Sequence, residues 1–187
     1  MPTREELGRL YPIHIEPYHP DWPALYANEK EILLRLLGPE LAGRIEHIGS
    51  TSVAGLAAKP TVDILVEIPR DPGNREEIVL RMKDAGYLLM TEQTAHLMFV
   101  RGYTPVGLAK ESFHIHMGPA DQAFLWDRVY FRDYLRKHPS AAREYEALKR
   151  KLAEIHRHDR EAYTDSKGEF IARLTREAKV EAAAIHL

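Results

Sequence analysis

The chain contains no cysteine among its 187 residues. That excludes disulfides, thiolate metal sites and a cysteine nucleophile. A charge excess of one sign is also missing: 26 Lys and Arg against 28 Asp and Glu leave −2. Such a balance gives no global pull toward nucleic acid or an anionic membrane, and neither is expected as a partner. Nor is there a long apolar run. The longest, Val62 to Ile68, carries Asp63 and Glu67 and falls far short of the ~20 residues a spanning helix needs. The opening Met1-Pro-Thr-Arg-Glu-Glu is polar and acidic, without a signal-peptide core, so a cytoplasmic location is expected.

What the chain does have is 44% apolar residues, enough for a sizeable core without covalent staples. One domain over 1–187 is expected, with its sheet mainly within 11–118 and a helical segment over 121–184. Residues 11–23 read as a proline-punctuated arm, in which Ile13 and Ile15 alternate like a short edge strand. Asp21 is placed as the N-cap of a helix from Trp22 to about Leu37, stopped by Gly38-Pro39. Strands are expected at 44–48 and 61–68. Asn74 is expected to cap a helix reaching about Ala85, with Ile78, Val79 and Met82 inward and Gly86 at its stop. Further strands fall at 87–91, 96–101 and 112–117, the last two separated by a loop over 102–111. Helices follow near 121–136, 139–158 and 167–184. The order predicts a mixed α/β (α+β) domain.

The segment from Ile45 to Ile68 carries the most chemical information. A short apolar strand runs into Gly49-Ser50-Thr51-Ser52, and a second strand carries Asp63. Gly49 can bring backbone close to a phosphate, and Ser50, Thr51 and Ser52 supply hydroxyls without bulk. A turn capped by its own hydroxyls is the plain alternative. A carboxylate inside an apolar strand is costly unless paired, hydrogen-bonded or metal-bound, and this favours a site. Lys59 precedes that strand and is a candidate to neutralise phosphate, or a solvated lysine at a strand start.

Alternation puts Asp63, Leu65 and Glu67 on one face. Two-metal phosphoryl chemistry wants a second carboxylate one pleat on, and Leu65 stands there. Glu67 lies ~13 Å farther along at ~3.3 Å per residue, too far to share an ion. His114 and His116 alternate with Phe113 and Ile115, so their imidazoles share a face and are candidate metal ligands beside Asp63. His47 is expected to be structural. Among the helical cations, Arg132 and Lys149 are the ones considered for reaching a phosphate.

At these residues the chain resembles the GrpB family, also called UPF0157. The match rests on His47-Ile48-Gly49-Ser50-Thr51-Ser52-Val53, Gly55-Leu56-Ala57-Ala58-Lys59-Pro60, Val62-Asp63-Ile64 and His114-Ile115-His116. It continues through Phe131-Arg132-Asp133-Tyr134-Leu135-Arg136, Tyr145, Lys149 and the closing Tyr163…Lys167…Phe170-Ile171. The resemblance implies a nucleotidyltransferase-like mixed sheet flanked by helices. Asp63 matches that superfamily's first acid, Leu65 takes the place of its second, and the strand at 112–117 matches the strand of its third.

The reading that follows is a nucleotidyltransferase-like protein that binds a nucleotide or phosphorylated small molecule. Gly49, Ser50, Thr51, Ser52 and Lys59 would hold phosphate. Asp63, His114 and His116 would be catalytic and hold a divalent ion, Mg²⁺ or Mn²⁺, with Zn²⁺ also compatible. The alternatives are a non-catalytic binding module on the same fold and a single-metal phosphohydrolase.

Overall fold

The computed structural model describes residues 4–185; the ends of the expected 1–187 domain lie outside it. Helix α1 (Arg4–Leu10) opens the described chain, followed by α2 (Trp22–Leu41). Strands β1 (Ile45–Ile48) and β2 (Val62–Glu67) flank a single 3₁₀ turn at Ser50–Ser52. Then come α3 (Pro72–Asp84), β3 (Leu88–Gln93), β4 (His96–Thr104) and β5 (Gly107–Gly118). Helices α4 (Ala123–Lys137), α5 (Pro139–Ile155), α6 (Arg160–Asp165) and α7 (Gly168–Ile185) complete the described chain.

The five strands form one mixed sheet in the order β1-β2-β5-β4-β3. Only the β2–β5 pair is parallel, and its register sets Asp63 opposite His114 and Leu65 opposite His116. The alternation of β2 and β5 explains the layering. Val62, Ile64 and Val66 join Phe113, Ile115 and Met117 on one face, buried under Leu33, Leu37 and Leu41 of α2 and Ile78 and Met82 of α3. The other face carries Asp63, His114 and His116, with α4 packed beside them through Leu125, Trp126 and Val129 on Ile48 and Leu65. Leu65 is fully buried there.

Several expectations are corrected. The helix at 72–84 is capped by Asp71, which accepts from the Asn74 backbone N–H at 3.1 Å; Asn74 lies inside it. Pro72 has a fixed φ suited to the first turn, which moves the start forward. Asp21 is the N-cap residue of α2, as expected, but its side chain makes no cap bond. That helix is interrupted at Gly38-Pro39 as expected: Gly38 leaves the helical region at φ 72°, the chain kinks there, and a further short helical turn runs to Leu41. The arm at 11–15 is no edge strand; Tyr11 donates to the Thr104 carbonyl of β4 at 2.6 Å, and just beyond the arm Glu16 forms an isolated bridge with Ala58.

The largest correction concerns 102–111. That stretch is not a loop but the end of a hairpin, in which Tyr103 faces Leu108 and Thr104 faces Gly107. A register shift between Arg101 and Tyr103 coincides with Gly102 at φ 84°, the backbone region open to glycine. Its consequence appears at the site, where Tyr103 reaches His114. The helices α1 and α6 were not anticipated. The helix expected over 139–158 ends at Ile155, and α6 follows it.

Candidate functional site

The polar face of β2 and β5 forms the floor of a cleft of about 530 Å³. The Gly49–Thr51 turn borders it on one side; α4, α5 and the α6–α7 turn supply the other walls. Gly49 holds φ 71°, and a Cβ added there would collide with the Asp63 carboxylate. The turn is therefore glycine-dependent for two reasons, backbone angle and the approach of Asp63.

Asp63 Oδ1 lies 2.9 Å from His114 Nδ1. His114 Nε2 lies 2.7 Å from the Tyr103 hydroxyl, which accepts from Arg160 Nη2 at 2.9 Å. The ionised Asp63 can only accept, so the Nδ1–H of a neutral His114 donates to it and the bare Nε2 accepts from the Tyr103 phenol. Burial would raise the Asp63 pKa, but the His114 bond and the charges of His114, His116 and Lys59 hold it well below the usual carboxylate range. Burial pushes His114 down against the pull of Asp63, and takes His116 further below its ordinary value. His116 Nδ1 sits 3.1 Å from His96 Nε2.

One donor atom from each of Asp63, His114 and His116 lies within 4.8 Å of the others. A carboxylate and two neutral imidazoles fit a divalent ion, and the nitrogen donors suit Mn²⁺ or Zn²⁺ better than Mg²⁺. Ligation through His114 Nδ1 requires that nitrogen to give up the proton it shares with Asp63.

The expected phosphate residues divide. Gly49, Ser50, Thr51 and Lys59 line the cleft. The Thr51 hydroxyl is engaged by His47 Nε2 at 2.9 Å. Ser52 does not line it: its hydroxyl donates back to the Gly49 carbonyl at 2.5 Å, and its carbonyl accepts from Arg136. His47 is structural as expected, stacked on Tyr26 at 4.7 Å. Arg132 stays outside the cleft, held by Glu46 at 2.6 Å, Asp133 at 2.8 Å and the His47 carbonyl at 2.9 Å.

Lys149 does enter. It is 2% exposed, donates to Ser50 Oγ at 2.9 Å and also to the Ala57 carbonyl. Burial lowers its pKa to about 7. Burial and then the neighbouring Arg160 lower Lys59 to about 8. Lys167, Arg128, Tyr145 and Tyr163 complete the cationic and aromatic wall. Sequence reasoning offered none of these four as site residues. Tyr163 and Lys167 belong to the closing pattern of the family resemblance, and that pattern was the available signal. Arg128 carried no signal.

A family model described as GrpB protein matches residues 12–177. The chain belongs to the GrpB family. A UPF0157 protein from Pseudomonas aeruginosa is 40% identical over 165 residues, covering 87% of this chain and 66% of that protein. The UPF0157 protein YqkA of Bacillus subtilis is 36% identical, with 91% of this chain and 49% of YqkA covered. The chain thus spans about two thirds and about half of these two GrpB relatives. The crystal structure of conserved protein GrpB from Enterococcus faecalis superposes with a TM-score of 0.78 at 29% identity, covering 90% of this chain and 99% of that one. A structure of Cid1, titled for its RNA terminal uridylyl transferase activity, matches with a TM-score of 0.51 at 13% identity, over 72% of this chain and 40% of Cid1. The GrpB fold here is nucleotidyltransferase-like.

Proposed function

We propose that the cleft binds a nucleotide or phosphorylated small molecule together with a divalent ion held by Asp63, His114 and His116, as a nucleotidyltransferase-like enzyme. The observation that carries this reading is the convergence of those three donor groups beside the Gly49–Ser50 turn. The turn presents backbone N–H groups to phosphate oxygens, with Lys59 to balance their charge. A bound ion would supply Lewis-acid neutralisation of charge developing on the transferring phosphoryl group. The protein's own part is to position the phosphates and orient His114 through Tyr103. A Cid1 poly(U) polymerase structure of similar fold is titled as bound to MgATP, which supports the class of ligand.

The test is nucleotide-dependent transfer with Mn²⁺ by wild type and by Asp63→Asn. Loss of turnover in the variant supports the reading; equal turnover in both overturns it.

The second reading, a binding module without turnover, draws on Leu65. An apolar residue is fully buried against α4 where a second acid would stand. It calls for nucleotide-induced stabilisation that survives Asp63→Asn.

A further inference from the structure

The cleft has more positive charge than the protein balances. Lys59, Arg128, Lys149 and Lys167 all line it. Among the described residues, the lining carboxylates are Asp63, bonded to His114, and Asp127, paired with Lys179 at 2.6 Å. None of the four cations forms an ion pair among the described residues. The Lys59 and Lys167 ammoniums lie 5.6 Å and 4.1 Å from the centre of the Tyr163 ring. Such cation–π contacts are weak beside the cost of withdrawing ammonium groups from water. Among the described residues the Tyr163 hydroxyl has no hydrogen-bond partner, and the residue is 1% exposed. Native structures rarely leave such a donor unused.

We infer that Lys59, Lys167 and the Tyr163 hydroxyl form a seat for the distal phosphate of a ligand with two or more linked phosphates, occupied without the divalent ion. This rests on reading the cleft as a phosphorylated-ligand site. The inner end of the ligand then lies at the Gly49–Ser50 turn, where Lys149 already ties Ser50 to α5. The seat is built by Lys59 ahead of β2, Tyr163 of α6 and Lys167 in the turn before α7. On this assignment a di- or triphosphate chain engages both the turn and the seat, and a single phosphate engages one of them. The orphan O–H and the two ammoniums donate to its terminal oxygens.

Calorimetric titration with inorganic tripolyphosphate in EDTA tests the seat. Wild type is expected to bind tripolyphosphate saturably, and orthophosphate at least tenfold more weakly. Lys167→Gln and Lys59→Gln should each weaken tripolyphosphate binding about tenfold or more. Tyr163→Phe should weaken it severalfold with an unchanged melting temperature, because it removes a hydroxyl that bonds nothing in the free protein. Absence of binding in EDTA, or wild-type affinity in both Tyr163→Phe and Lys167→Gln, overturns the seat. Tripolyphosphate binding that no nucleoside triphosphate displaces leaves the seat standing and removes the nucleotide reading. Mn²⁺-dependent nucleotide transfer by a protein that binds no tripolyphosphate in EDTA does the reverse.

Discussion

Asp63 occupies the space that a side chain at position 49 would need. The Gly49 backbone sits at φ 71°, with the Asp63 carboxylate against the point where a Cβ would project. Gly49→Ala therefore meets both a disfavoured backbone angle and a collision. It should cost about 1–3 kcal/mol of stability and weaken divalent-ion binding by displacing Asp63. Urea denaturation and a Mn²⁺ titration check the two effects.

Leu65 separates this GrpB protein from a paired-carboxylate site. It is fully buried against Leu125, Trp126 and Val129. Leu65→Asp should not create a second acid that serves an ion. It should destabilise by about 3 kcal/mol or more, by losing packing and burying a carboxylate among apolar groups. A folded variant that binds Mn²⁺ more tightly than wild type would contradict this.

His96 bonds His116 at 3.1 Å and so orients a proposed ligand. Replacing it with phenylalanine keeps an aromatic ring and removes the bond. Ion affinity should fall 10–100-fold, the usual effect of losing such support, with little loss of stability.

His47 makes stability depend on acidity. Burial, with lesser contributions from Arg136 and Arg132 against Asp63, lowers its pKa from 6.5 to about 4. Between those values the unfolded chain takes up a proton that the folded one refuses, so stability falls as pH drops through that window. The loss attributable to His47 amounts to about 3 kcal/mol at most. His96, His114 and His116 are also lowered and act in the same direction. His47→Gln should make the decline between pH 6.5 and 4 shallower, as read from denaturation midpoints.

Anion binding should have the opposite pH dependence. In the free cleft, Lys149 and Lys167 have pKa values near 7 and Lys59 near 8. A polyphosphate favours their charged forms, so binding takes up protons and affinity falls as pH rises above these values. Asp63 and Glu146, both lowered, remain ionised there, and Arg150 and Arg160 also face these lysines. Calorimetry in buffers of different ionisation enthalpy measures the uptake; none at pH 8 would contradict the assignment.

Much of the site was legible because strand alternation is a local property. The period of two in Val62-Asp63-Ile64-Leu65 and in Phe113-His114-Ile115-His116 assigns each residue a face with no knowledge of the rest of the chain. The GrpB motifs led to the same residues. The Tyr103 contact was not legible, because a glycine bulge continues β4 through a stretch whose Pro and Gly read as a loop. Lys167 was visible in the closing pattern, but nothing local told that it turns toward Asp63 and not toward water.

The residues thus carried the chemistry and the side of each strand, because those follow from side-chain type and backbone geometry within a few positions. The pairing of Asp63 with His114, 51 positions apart, and the arrival of Lys149 and Lys167 from the later helical segment, came only with folding. The β2–β5 register is set by Val62, Ile64 and Val66 burying with Phe113, Ile115 and Met117 beneath α2 and α3. That burial is a cooperative property of distant segments, and no single window of the chain contains it.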